Sequence, residues 1–369
     1  MPSKPAHPGR SGSRGELALL AAIRTRASQM RAADLQLGIG DDCALVRLRP
    51  GEELAVTTDL SIAGRHFRLD WHPPESVGHR TVARGLSDLA AMGARPVAAF
   101  LSLGLPHSLT QKGKGHETGL GPKVPNMWPG PSGHKSWLDR FLDGFLHLAQ
   151  AYATPLAGGD LAESPLPVAD IVLTGAVPSG KALLRSGARP GDSLYVTGSL
   201  GGSASGLARI AQLSAALEQK GLPVRDKDRP LIPPRLRALL APHLYPQPRI
   251  AQGLWLVRSS LATSAIDISD GLSRDLAHLC EESGVAAEID AAALPLFRGA
   301  TIEQALHGGE DYELLFTAPA DARVPRSIES VPVTRIGRIL RPQRGKPMIA
   351  LITAQGAQPL APQGWEHFS

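Results

Sequence analysis

The sequence has 369 residues, enough for two domains with sizeable cores and too many for a peptide or a lone small module. Hydrophobic residues make up 43%, charged residues 20% and aromatics 4%, which describes a globular chain without the aromatic platform on which single-stranded nucleic acid stacks. The net charge of +5 invites a polyanionic partner, so the placement of those charges matters.

Residues 1–14 hold Lys4, Arg10 and Arg14 with no acid and read as a disordered basic tail. Helical spacing begins at Glu16, with Leu17, Leu20, Ile23 and Ala27 predicting a first helix. Leu54–Thr58 predicts a strand that stops at Asp59 in a polar loop, Val77–Met92 a helix closed by Gly93, and Val97–Leu103 a strand. Residues 108–135 interrupt the pattern with six glycines, four prolines and four lysines, the composition of an inserted loop. A helix at Trp137–Tyr152 and strands at Pro155–Ala157 and Ile171–Val177 follow. Beyond a turn-rich link at Pro178–Asp192, strands are expected near Leu194–Val196 and Ala265–Ile268, with helices after Gly202 and Gly271. Strand and helix alternate on both sides of the link, predicting an α/β (α+β) chain of two domains, 15–180 and 181–369.

Cys43 and Cys280 lie far apart without a C-x-x-C pair, which excludes a disulfide framework and a zinc cluster and points to a reducing compartment. Glu16 and Arg24 interrupt the first apolar run, unlike a secretory leader, and no uncharged apolar stretch reaches the ~18 residues of a membrane span. A soluble, cytoplasmic protein is expected. The tail and the 108–135 insertion contribute +3 each, so the remaining chain carries −1. Nucleic acid is therefore not expected as a partner of the fold itself.

The informative charges are aspartates at predicted strand ends or beside glycines: Asp41 and Asp42 in GIGDDCA, Asp59 in TTDLSIAGRHF, Asp88 in LSDLAAMGA, Asp160 in LAGGDL, and Asp267 and Asp270 in AIDISDGL. A single such aspartate is more often a turn former or helix cap; Asp270 suits a cap on its own, and Asp88 a solvated helix face. The set is harder to dismiss, because the flanking segments are apolar and draw the acids toward the core edge. Carboxylates ~4 Å apart repel by roughly 4 kcal/mol per pair at an effective dielectric near 20, so a cluster requires cations. Hard oxygen donors with few His or Cys nearby favour Mg²⁺ over zinc, and Mg²⁺ usually bridges carboxylates and phosphates.

Two glycine-rich turns are candidates for a phosphate cradle. GAVPSGKA at 175–182 approaches P-loop spacing but has Ala182 where a hydroxyl should hold Mg²⁺, and Gly187 and Pro190 soon break any helix. VTGSLGGSASGLARI follows a strand and either cradles phosphate at a helix N-terminus or makes tight turns for packing. In GGEDYELLF, at 308–316, Glu310, Asp311 and Glu313 surround Tyr312 before an apolar strand, as a charged turn would. His66 sits in a loop eight residues after Thr58, within reach of a ligand, although a lone histidine is more often structural. Trp365 fits tail packing or a cover over a flat ring.

Taken together, GIGDDCA, TTDLSIAGRHF, LSDLAAMGARP, LAGGD, LLRSGARPGD, AIDISDGLSRDL and GGEDYELLF stand in the order of the motifs of the thiamine-monophosphate kinase family. The chain resembles that family from about residue 16 to its C-terminus, apart from 108–135. The family groups with aminoimidazole ribonucleotide synthetase and selenophosphate synthetase and has no P-loop. The resemblance implies an N-terminal α/β domain whose sheet forms a barrel with that of its dimer mate, an α/β C-terminal domain, and ATP between the two. It implies Mg²⁺ ligands at Asp42, Thr57, Thr58, Asp59, Asp88, Asp160, Asp267 and Asp270. ATP contacts are implied at Gly159, Asp160, Arg185 and Ser269, and thiamine phosphate contacts at His66, Glu310 and Trp365. Asp42, Asp59, Asp88, Asp267 and Asp270 would carry catalysis, transferring a phosphoryl group from ATP to thiamine monophosphate without a phosphoenzyme. An anionic acceptor oxygen needs neutralisation and in-line alignment rather than a strong base. The chain departs from the family at Gly85, where Asn is usual, at Leu161 and Ala162, where Thr or Ser follows the Gly-Gly-Asp, at Arg80, where Lys is common, and at Trp365, where Tyr is common. Two alternatives are another ATP-using synthetase of the superfamily and a basic nucleic-acid-binding protein using Lys112, Lys114, Lys123 and the tail. Selenophosphate synthesis is disfavoured because no cysteine precedes Cys43.

Overall fold

A computed structural model describes residues 15–30, 32–111, 135–219 and 234–364. The basic tail, nearly all of the 108–135 insertion and Trp365 lie outside the described residues. The N-terminal half comprises α1 (Glu16–Ala27), a ribbon of β1 (Leu35–Leu37) and β2 (Leu45–Val46), then β3 (Glu52–Ile62), α2 (Pro74–Ala91), β4 (Arg95–Leu105), α3 (Trp137–Ala151), β5 (Leu156–Glu163) and β6 (Val168–Pro178). Four strands form one sheet in the order β3-β6-β4-β5. Only the β4/β5 pair is parallel, and α3 makes the crossover such a pair requires.

The C-terminal half begins with β7 (Ser193–Thr197), α4 (Gly202–Gln219), α5 (Pro234–Leu244), α6 (Ile250–Ser259), β8 (Ser264–Asp267), α7 (Leu272–Ser283) and β9 (Ala286–Asp290). It ends with α8 (Ile302–His307), β10 (Leu314–Ala318), β11 (Ser327–Ile328), β12 (Val331–Leu340), β13 (Ile349–Thr353) and β14 (Gly356–Pro359). Its sheet runs β14-β13-β9-β12-β7-β10-β8, with β11 on β12. The expected α/β character holds in both halves. Among the described residues no helix is long and apolar enough to cross a membrane.

Strand β3 is longer than its apolar run. It does not stop at Asp59 but continues to Ile62, with Asp59 opposite Ile171. Pairing with β6 along the whole length overrides the polar side chains, because the ladder is a backbone property and the polar face of β3 has its own partners. Likewise β5 runs through Gly158, Gly159 and Asp160 rather than ending at Ala157.

Helix α2 is the hub. Fifteen of its eighteen residues are buried, so it has no solvent face on which a charge could be hydrated. It packs on α3, α6, the first sheet and β8. The approach to α3 depends on glycine: a Cβ on Gly144 would lie 1.8 Å from the Glu75 carbonyl oxygen, and one on Gly78 2.0 Å from that of Phe141. A stack of Trp137, Phe141 and Phe145 from α3 fills the adjoining core.

Gly144→Val should therefore lower the midpoint of urea unfolding by the equivalent of about 1–3 kcal/mol, the cost of overpacking a close contact. An unchanged midpoint would show that the α2–α3 contact can spread without cost.

Candidate active site

Strand alternation sorts the β3 side chains. Thr57, Asp59 and Ser61 face inward, while Leu54, Val56, Thr58 and Leu60 point outward. Thr58 is therefore not brought to the acidic cluster by its side chain, since neighbours in a strand occupy opposite faces. Thr57 Oγ1 donates a short hydrogen bond to Asp88 on α2. One residue earlier on that helix, Ser87 Oγ donates to Asp267 Oδ2 at 2.7 Å, at the end of β8. Asp59, Asp88, Asp267 and Asp270 are close enough to disturb one another electrostatically.

Burial and the charge of Asp267 push Asp88 up to about 7, against the hydrogen bond from Thr57. Asp267 is raised by burial, opposed by the Ser87 hydroxyl and the charge of Arg185. Asp59 is raised by burial, opposed by Arg84 and reinforced by Glu310, Asp170 and Asp270. Arg185 thus belongs to the Asp88–Asp267 neighbourhood. These acids are costly to ionise together without a cation, and their donors are carboxylates and hydroxyls, which suit a hard divalent ion. Among the described residues no three His, Cys, Asp or Glu side chains already form a closed cage. A bound ion would take its remaining ligands from water and phosphate, as Mg²⁺ usually does.

The loop carrying Ser269 and Asp270 is held from below. Asp275 Oδ2 accepts from the amides of Ser269, Asp270 and Gly271 at 3.0, 3.1 and 3.0 Å. Asp270 is therefore not the cap of α7; the N-cap is Gly271, which has no side chain to cap with, and Asp275 in the first turn neutralises the exposed amides instead.

GGEDYELLF is a staple rather than a solvated turn. Glu310 accepts from Arg80 Nη2 at 2.6 Å and Arg84 Nη2 at 3.1 Å, both on α2. Despite burial, these two guanidinium groups hold its carboxyl well below the usual range. Asp311 accepts from the amides of Gly201 and Ser203 at 2.6 and 3.0 Å. That carboxylate fills the N-terminus of α4, so the glycine-rich turn after β7 serves packing and is not a vacant phosphate cradle. The other glycine candidate continues β6 to Pro178 and opens no helix. Tyr312 is buried and its hydroxyl accepts from Arg84 Nε at 3.2 Å. Glu313 takes a fork from Arg249 at 2.6 and 2.5 Å and a hydrogen bond from Thr197 at 2.7 Å. Glu310 and Tyr312 both have left-handed backbones, φ 65° and 52°, a conformation disfavoured by ~1–2 kcal/mol in non-glycine residues. Amide bonds to the carbonyls of Ser269 and Ile268, at 2.7 and 2.9 Å, hold them there.

His66 joins this acceptor side through its backbone. Arg80 Nη2 donates to His66 O at 3.2 Å as well as to Glu310, so one nitrogen ties the two residues together. The expected nucleotide and metal residues Asp42, Gly159 and Asp160 meet elsewhere, around a cavity of about 420 Å³ that also involves Gly158 and Phe100. Gly159, at φ 149°, passes so close to β4 that a Cβ would lie 1.9 Å from Leu101 O. Register places Gly159 on the same rung as Asp59, three strands away, or ~14 Å at 4.8 Å per strand. The acids therefore form two groups in one chain. Arg84, Ser87, Asp275, His72 and His243 were not legible as site residues. Nothing in the spacing of α2 marks its arginines as internal, since Glu75, Arg80, Arg84 and Asp88 would equally suit an exposed face.

Residues 40–177 match the AIR synthase related protein N-terminal domain, and residues 189–349 the corresponding C-terminal domain. The class is thus an AIR synthase related protein. Thiamine-monophosphate kinase of Escherichia coli (strain K12) is 38% identical over 367 residues, covering 96% of this chain and 98% of that protein. The thiamine-monophosphate kinase structure from Stenotrophomonas maltophilia K279a superposes with a TM-score of 0.67 at 35% identity, covering 89% and 95% of the two chains. AaThiL complexed with AMPPCP and TMP gives 0.65 at 30% identity, covering 96% and 97%. The chain belongs to the thiamine-monophosphate kinase family.

The proton affinity of Asp88 sets a pH dependence. Its folded value of about 7 lies above its unfolded ~4, so the metal-free folded state holds the extra proton. The stability this contributes is complete below pH ~4 and lost as pH rises through about 7. Urea midpoints of metal-free protein should fall between pH 5 and pH 8, and Asp88→Asn should flatten that fall. Parallel slopes for the two proteins would refute the assignment.

Proposed function

We propose that this chain phosphorylates thiamine monophosphate to thiamine diphosphate at the expense of ATP, by direct in-line transfer. The observation that carries the reading is the convergence of Thr57, Asp59, Asp88, Asp267 and Asp270 beside the Arg80–Glu310 pair, which joins a cation-demanding cluster to an acceptor-facing carboxylate.

Asp59, Asp88, Asp267 and Asp270, with Thr57, would hold Mg²⁺ on the transfer side. Asp42 and Asp160 would serve a further ion on the nucleotide side, where Gly159 lets the backbone approach phosphate closely. Bound Mg²⁺ would neutralise phosphoryl oxygens and bridge them to carboxylates. Ser269 lies on the loop fixed by Asp275, and Arg185 brings a cationic fork toward the phosphates. Glu310, kept anionic by two arginines, presents negative charge to the cationic ring of the acceptor, with His66 alongside. Trp365 is proposed as the aromatic cover of the same ring. No aspartate needs to become a phosphoenzyme, since the acceptor oxygen already bears charge.

We also propose a homodimer joined through β3. Among the described residues that strand pairs on one side only, with β6, and it exposes Leu54, Val56 and Leu60 at 53%, 57% and 44%. An unpaired edge of eleven residues beside an outward apolar face is a template for a second copy. Val56→Glu should convert the dimer to a monomer in sedimentation velocity; an unaltered dimer would move the interface elsewhere.

Purified protein supplied with Mg²⁺, ATP and thiamine monophosphate should form thiamine diphosphate and ADP in equal amounts. ADP without thiamine diphosphate would mean another acceptor. Asp267→Asn should abolish turnover while retaining native circular dichroism, and full activity in that variant would remove the acid from the reaction.

A further inference from the structure

Behind the Arg80–Glu310 pair lies a buried polar chain that none of the proposed roles uses. His72, just before α2, and His243, in the last turn of α5, are each 2% exposed, and their Nε2 atoms lie 3.0 Å apart. Two facing ring nitrogens at that distance share one proton, so one ring donates and the other accepts. Arg80 Nη1 donates to His243 O at 2.5 Å and approaches His243 Nδ1 at 3.2 Å. Its Nη2 serves Glu310 Oε1 at 2.6 Å and His66 O at 3.2 Å. All four Nη hydrogens are thus assigned, two toward His243 and two toward the acceptor side. Arg80 is a fork whose rear prong is set by His243 and whose front prong carries Glu310.

The hydrogen bonding closes without any charge on the histidines. With Nδ1 of His243 accepting from Arg80, its Nε2–H donates to His72, and His72 Nδ1–H reaches Arg68 O at 3.2 Å. The opposite tautomers, with His72 Nδ1 accepting from Arg68 N–H at 3.1 Å and His243 Nδ1–H toward Ser203 Oγ at 3.0 Å, would set that N–H against Arg80 Nη1, so the first arrangement is the one that satisfies the guanidinium. Burial, with the Arg80 charge, pushes His72 down to about 3 and His243 well below its ordinary value, so both rings stay neutral in any ordinary assay. A neutral ring is what an arginine can lean on. An imidazolium there would repel it.

We infer that His243, backed by His72, is a positioning residue for the acceptor: it sets the orientation of Arg80 and, through it, of the Glu310 carboxylate. The inference rests on the reading of Glu310 as an acceptor contact. It concerns ground-state binding, because Arg80 itself bonds to Glu310 and His66 O on the acceptor side and to none of the aspartates.

The test is steady-state kinetics of the full chain on three variants. His243→Leu fills the volume but loses both ring nitrogens, and should raise KM for thiamine monophosphate about tenfold, with kcat and KM for ATP within twofold. His243→Asn keeps a polar atom near the Nδ1 position and should stay within about threefold of the parent, even where its thermal midpoint is lower. A purely structural role predicts the reverse order, with Leu milder than Asn, and would overturn the inference. Glu310→Gln should raise the same KM, and adding His243→Leu to it should cause little further loss. If Glu310→Gln leaves KM unchanged, the acceptor reading itself falls. If Glu310→Gln raises KM while His243→Leu does not, or if the two effects multiply, that reading stands and the positioning role falls. Should His243→Leu fail to fold, His72→Leu breaks the rear bond alone; a raised KM for thiamine monophosphate supports the inference and an unchanged one overturns it.

Discussion

A helix enclosed on every side cannot leave a charge to water, and α2 carries Arg80, Arg84 and Asp88 in its interior turns. Each therefore draws a counter-group from another element: Glu310 from the segment before β10, Asp59 and Thr57 from β3, His243 from α5. Breaking one side of such a pair leaves a buried charge uncompensated, which costs several kcal/mol. The relative placement of β3, α5 and the β10 approach is thus fixed by charge matching as much as by the apolar core. Those same elements carry the site, so the folding constraint and the functional geometry have one origin.

The two ends of α2 solve opposite problems. Around Arg80 and Arg84 the charges are balanced, since two cations face Glu310 and Asp59 and the pairs are close. Around Asp88 and Asp267 they are not: hydroxyls of Thr57 and Ser87 are hydrogen-bonded to the carboxylates, yet burial still raises both. Burial raises Asp311 and Asp275 as well, but backbone amides occupy their oxygens, whereas Asp88 and Asp267 face one another's charge, and that arrangement suits an external cation. Internal amides hold the carboxyl oxygens of Asp311 and Asp275, which explains why acids so near the site are not free to ligate anything.

Much of this was legible in the sequence. The apolar surroundings of Asp59, Asp88 and Asp267 signalled acids at a core edge, and the structure draws all three together. Periodicity found α2, but it could not show that the helix lacks a solvent face, because burial on all sides depends on what packs there. For that reason Arg84 and His243 passed as ordinary polar residues. The mistaken cap at Asp270 and the mistaken strand end at Asp59 share a cause: local turn chemistry was read where tertiary pairing decides. In the first case the deciding partner is Asp275, in the second the full ladder to β6. Separation of Asp42 and Asp160 from the other acids follows from strand order, which no local pattern encodes.

The Glu310–Glu313 segment shows why the acceptor side is rigid. Four consecutive side chains reach three elements, with Glu310 and Tyr312 on α2, Asp311 at the start of α4 and Glu313 on Arg249 at the N-terminus of α6, and the backbone takes two left-handed residues to allow it. Such a conformation survives only where its surroundings over-determine it. A mobile loop would pay ordering entropy each time a ligand bound, whereas this segment is ordered by the fold before any ligand arrives. Phosphoryl transfer to an oxygen that is already anionic depends on alignment rather than proton removal. A carboxylate held immobile by two arginines, one of them braced from behind by a neutral histidine pair, is the kind of support that chemistry requires.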